Sequence, residues 1–131
     1  MKETTERRQK SLENIKKAFE ELQSYMKEPV RTNRDRAGVI KAFEFTFELF
    51  WKLFQKIAQE EGLEAGGPKS SLKRAFQTGL ILPDEEDVWI SMLDDRNLMT
   101  DVYQNELSQQ IFTRIKEKYI LALKTAFQRL L

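Results

Sequence analysis

The stretch from Asp35 to Glu61 constrains the fold more than any other, because it is apolar on two sides at helical spacing. Ile40, Phe43, Phe47, Phe50, Phe54 and Ile57 form one stripe, and Ala42, Phe45, Leu49 and Leu53 form a second. A helix of that length runs on the order of 40 Å, and two apolar faces place it centrally in a bundle. Asn33 or Asp35 is positioned to cap it. Its polar strip is narrow: Lys41, Glu44, Glu48, Lys52, Gln55 and Gln59.

The other segments read the same way. Leu12, Ile15, Phe19, Leu22 and Met26 recur at spacings of 3, 4, 3 and 4, which predicts a first helix over about residues 5–27. Pro68 opens a short helix that Gly79 closes, with Leu72, Ala75 and Phe76 inward. Pro83 followed by Asp84, Glu85, Glu86 and Asp87 starts another, four acids meeting the positive end of the helix dipole. Leu107, Ile111, Ile115, Tyr119, Ala122, Ala126 and Leu130 mark the inner face of a last helix over 105–130. The glycines and prolines fall largely between these segments, and no strand-like alternation of useful length separates them. The expectation is an all-α, antiparallel up-down four-helix bundle with one short additional helix, a single domain over residues 1–131.

Composition removes whole classes of chemistry. Among 131 residues there is no cysteine and no histidine. Disulfides, thiolate catalysis, the usual zinc sites and every mechanism that borrows an imidazole are therefore excluded. Twenty-two Lys and Arg against 21 Asp and Glu leave a net charge of +1, so no global field draws nucleic acid. The N-terminus MKETTERRQK has no apolar core behind it, and no run of about 18 apolar residues exists. A cytoplasmic protein without membrane segments, cofactor or metal is expected.

Three features carry candidate chemistry. Glu44 and Glu48 are like charges one turn apart, each within reach of Lys41 or Lys52; they form either a solvated stripe or one wall of a cleft. The turn Glu61-Gly-Leu-Glu-Ala-Gly-Gly-Pro-Lys69 precedes a helix start, with Lys69 and Ser70 nearby, yet it matches no phosphate-loop pattern and reads more simply as an interhelical turn. In Trp89-Ile-Ser-Met-Leu-Asp-Asp-Arg-Asn-Leu-Met-Thr-Asp-Val-Tyr103, Asp94 and Asp95 fall late in a helix, where acids oppose the dipole. Arg96 is the local partner the sequence offers them. If the helix continues, Arg96 and Tyr103 share a face and Asp101 lies about 140° away.

The segments Ala42-Phe-Glu-Phe-Thr-Phe-Glu-Leu-Phe-Trp-Lys52, Pro68-Lys-Ser-Ser-Leu-Lys-Arg-Ala-Phe76 with Gly79-Leu-Ile81, and Trp89…Met92-Leu-Asp-Asp-Arg-Asn97 resemble the nucleotidyltransferase substrate-binding proteins of the HEPN superfamily. The resemblance runs from about Leu12 to Leu130. It implies a four-helix bundle, usually a homodimer, acting with a separately encoded minimal nucleotidyltransferase in a prokaryotic two-gene module. Many relatives form toxin–antitoxin pairs in which the helical member is a ribonuclease with the motif Arg, four residues, His, one residue, Tyr. By that resemblance Arg96 takes the arginine position and Tyr103 the tyrosine position, where AMP can be attached. Asp101 takes the histidine position. Ligand or partner contacts are then expected from Asp95, Asn97, Glu48 and Lys52, with a nucleotide or RNA as the ligand.

The histidine-to-aspartate difference has a physical consequence. An unperturbed aspartic acid titrates near 3.9, so using it as an acid at pH 7 costs roughly 4 kcal/mol. Its charge also repels an RNA phosphate. Two functions stay open at this stage: a partner subunit that binds a nucleotidyltransferase and presents a substrate, and a metal-independent endoribonuclease using Arg96 and Asp101. A helical dimer with no ligand is a third.

Overall fold

A computed structural model describes residues 2–101 and 105–131 of the chain; Tyr103 lies outside these residues. The elements are α1 (Lys2–Lys27), α2 (Asn33–Glu60), α3 (Pro68–Gln77), a 3-10 turn (Pro83–Glu85), α4 (Glu86–Asp101), α5 (Asn105–Arg114), a π turn (Ile115–Tyr119) and α6 (Ile120–Leu130). Cross-helix pairs fix the directions. Arg8 at the start of α1 bonds Glu60 at the end of α2 at 3.0 Å, so the two are antiparallel. Glu48 meets Arg96 while Phe54 meets Trp89, so α4 runs antiparallel to α2. Asp95 meets Arg114 and Glu85 meets Arg129, which sets α5 and α6 antiparallel to α4. The expected up-down bundle with α3 as the short extra helix is what forms.

α2 is central, as its two stripes demand. Trp89 is fully buried among Phe47, Phe50 and Phe54 of α2, with ring centroids 5.5 Å from the last two. Phe43 stacks on Tyr119 at 5.2 Å. Such pairs each add about 0.5–1.5 kcal/mol beyond the area they bury. The second stripe is only partly covered: Leu53 is buried, but Phe45 is 57% exposed.

The helix ends follow local chemistry, with one correction. Neither Asn33 nor Asp35 is the N-cap of α2; Thr32 is. Its Oγ1 accepts from the Asp35 amide at 3.1 Å, and the Asp35 carboxylate accepts from the Thr32 amide at 3.1 Å, a reciprocal capping box. Gly79 closes α3 at φ +80, letting the Leu80 amide reach back to the Ala75 carbonyl at 2.9 Å. The acid run after Pro83 begins with a 3-10 turn before α4.

The π turn was not apparent from the sequence. Ile111, Ile115, Tyr119 and Leu123 are all fully buried, yet residues four apart drift by about 40° per step on an α-helix. Four of them cannot share one face without correction. The wider π turn at Ile115–Tyr119 turns the drift back and keeps Tyr119 pointed at α4.

Candidate functional site

The C-terminal half of α4 carries two separate polar clusters on different faces. Consecutive helical residues project about 100° apart, so Asp95 and Arg96 cannot pair with each other. Arg96 is therefore not the partner of Asp95, contrary to the sequence reading. Each finds its partner on a different neighbouring helix.

Arg96 points to α2. Its Nε donates to Glu48 Oε1 at 2.6 Å, and a guanidinium nitrogen donates to Asn97 Oδ1 at 3.0 Å. The other oxygen of Glu48 accepts from the Trp51 indole at 2.9 Å. The Arg96 and Glu48 side chains are 28% and 26% exposed, so the pair is shielded at the edge of the bundle rather than spread on a solvated stripe. Lys52 does not pair with Glu48; its ammonium stands 5.9 Å over the Trp51 ring. Glu44, half-buried beside this pair, has its carboxyl pushed above the ordinary value by burial, against the pull of Lys41 and Arg96.

Asp95 points the other way and is 3% exposed. Both of its oxygens accept from Arg114 at 2.7 Å, a bidentate pair. The Tyr119 hydroxyl also donates to it, and lies 2.6 Å from Ser91 Oγ. Burial, then the bond to Asp95, hold the Tyr119 hydroxyl well above its usual range, so it stays a neutral donor. Asp95 is thus a structural hub tying α4 to α5 and the π turn. Its carboxylate is occupied by these donors and turned away from the Glu48–Arg96 pair.

Of the expected site residues, the fold brings Glu48, Arg96 and Asn97 together directly and Lys52 through Trp51. Asp101 is the last residue of α4, its side chain lying with Tyr103 outside the described residues. Trp51, Arg114, Tyr119 and Ser91 are polar participants that sequence reasoning missed. For Trp51 the signal was its position three residues from Glu48, on an adjacent part of the helix surface.

The glycine-rich turn is internally satisfied. Ser70 Oγ accepts from the amides of Gly66 and Gly67 at 2.9 and 3.1 Å, occupying the donors a phosphate would need. Beyond Arg96, α3 and α4 enclose a groove of about 760 Å³ with Leu72 and Phe76 on one side and Ile90 and Leu93 on the other. Among the described residues no three acidic side chains converge as a cation site, and no helix is long and apolar enough to cross a membrane.

This architecture has known relatives. A crystal structure of a Thermus thermophilus protein superposes with a TM-score of 0.78 at 32% identity, covering 88% of this chain and 98% of that one. A probable ribonuclease HepT of Haemophilus influenzae is 29% identical over 86 residues, spanning 62% of this chain and 58% of that protein's own length. The family model described as nucleotidyltransferase substrate binding protein like matches residues 10–131. With the match covering almost the whole bundle, Glu48–Arg96 pair and Asp95 hub included, the chain belongs to the nucleotidyltransferase substrate-binding protein family.

Proposed function

We propose that this protein is the helical partner of a minimal nucleotidyltransferase, binding the transferase and presenting a substrate rather than performing chemistry itself. The observation that carries the reading is the shielded Arg96–Glu48 pair. An arginine poised for an RNA phosphate keeps its charge available; in this chain a carboxylate already neutralises it at 2.6 Å. With Asp101 where the family's nucleases have histidine, and no histidine elsewhere in the chain, no imidazole serves as the proton carrier. What remains is a surface of Arg96, Asn97, Glu48 and Lys52 suited to recognition.

Tyr103 is the proposed AMP acceptor. Its phenolic oxygen would attack the α-phosphorus of ATP, breaking the α–β anhydride and releasing pyrophosphate, with the phenolic proton passing to a base of the transferase. Co-expression with a minimal nucleotidyltransferase from the same genome, followed by size-exclusion chromatography, tests the partnership; separate elution counts against it. Intact mass after incubation with ATP and that transferase should rise by one AMP and stay unchanged in Tyr103→Phe.

The second reading, a metal-independent endoribonuclease, is favoured by the name of the probable ribonuclease HepT relative. It requires Arg96 to leave Glu48 for RNA and Asp101 to move a proton. It predicts RNA cleavage that disappears in Arg96→Ala.

A further inference from the structure

The groove between α3 and α4 has an apolar floor and two walls of opposite charge. Leu72 and Leu93 are buried at its base, while Ile90 stays 42% exposed. Lys69 and Lys73, one turn apart and exposed, stand on the α3 wall. Glu86 and Asp94, two turns apart and exposed, stand on the α4 wall. None of these four charges has an ion-pair partner among the described residues.

That arrangement selects among occupants. A small anion gains from the lysines but meets two carboxylates across the groove. A helix with one apolar edge, an acidic flank and a basic flank satisfies both walls at once and covers Ile90. The α4 wall from Glu86 to Asn97 spans about 16 Å, or three helical turns. We propose that this groove docks an amphipathic helix of the nucleotidyltransferase partner. Its acids lie over Lys69 and Lys73, its bases over Glu86 and Asp94, and its apolar edge on Ile90 and Phe76. The inference rests on the partner reading above and adds the surface that reading lacks. Because Arg96 and Asn97 close one end of the groove, docking sets the transferase beside the Glu48–Arg96 pair.

The absence of cysteine makes the test clean, since Ile90→Cys introduces a single thiol. Its alkylation rate should fall by about tenfold or more at saturating transferase. Leu121→Cys, on α6 and 67% exposed outside the groove, should react at an unchanged rate. Lys69→Glu with Lys73→Glu should weaken the complex by about tenfold while leaving the melting temperature unchanged. A complex in which the Ile90→Cys thiol reacts at its free rate, or which the charge reversal leaves intact, overturns the groove assignment alone. Protection by ATP without transferase assigns the groove to a nucleotide and overturns it. Protection that grows with the concentration of this chain alone assigns it to a second copy, with the same result. No complex at all removes the partner reading together with the groove.

Discussion

Removing Arg114 should destabilise this fold strongly, because it strands a buried carboxylate. Asp95 is 3% exposed and accepts three hydrogen bonds, two of them from Arg114 at 2.7 Å. Arg114→Met keeps the aliphatic stem but leaves a buried carboxylate with Tyr119 as its one remaining strong donor. Breaking a buried pair by deleting one partner costs about 3–5 kcal/mol. The Arg114 side chain is 31% exposed, so water reaches part of the vacated space and the lower end, ~3 kcal/mol, applies. For a chain of this size that corresponds to a fall in melting temperature of about 10 °C. Tyr119→Phe preserves the stacking on Phe43 and removes one donor, so about 1–1.5 kcal/mol is expected. Urea unfolding of wild type, both single variants and the double variant measures the terms and their coupling. An Arg114→Met loss below about 1 kcal/mol, or strict additivity with Tyr119→Phe, would refute the shared hub.

Two pH-dependent effects have opposite signs. Glu44 has its carboxyl raised by burial, so its penalty is present above its folded value and vanishes below its unfolded one. Glu44→Gln should therefore raise the melting temperature at pH 7 and give no gain near pH 3; a destabilised variant at pH 7 contradicts this. Glu85 is the reverse case. The Arg129 hydrogen bonds at 2.7 and 2.8 Å, helped by the Leu82 amide, hold its carboxyl below the ordinary value. Its stabilisation is fully present above about 4.5 and is lost as pH falls through the lowered folded value. Arg129→Leu should cost about 2 kcal/mol at pH 7 and progressively less below pH 4, read by thermal melts across that range. A cost independent of pH would assign the effect to Arg129's bond with the Leu80 carbonyl at 2.9 Å instead.

What the sequence made legible follows from periodicity. The stripes of α1 and α2 specified helices, their burial and the central place of α2, because hydrophobic spacing is a local property. The π turn was hidden behind the same rule. From sequence the inner face reads as Ile111, Ile115 and Tyr119 continuing to Ala122, as a regular α-helix would. The π turn buries Leu123 fully and leaves Ala122 only partly covered, and spacing alone does not show that the helix widens. Of the two acids late in α4, Asp95 is compensated, by Arg114, while Asp94 stays exposed with no ion-pair partner among the described residues. The pairings Asp95–Arg114 and Glu48–Arg96 were not legible, because they join residues 19 and 48 positions apart. Sequence adjacency suggested Arg96 for Asp95, and the helical rotation between neighbours forbids it. Thr32 was passed over as a cap for Asn33 or Asp35, although Asp35 at the third helical position is the other half of its capping box.

In the proposed function Arg96, paired with Glu48 and with aspartate at the histidine position, serves recognition rather than catalysis. The most direct test is metal-free RNA cleavage by the purified wild-type chain, with Asp101→His and Arg96→Ala measured alongside. RNA should stay intact with wild type and with Arg96→Ala, and cleavage should appear in Asp101→His. Cleavage by wild type that Arg96→Ala abolishes would contradict the recognition role.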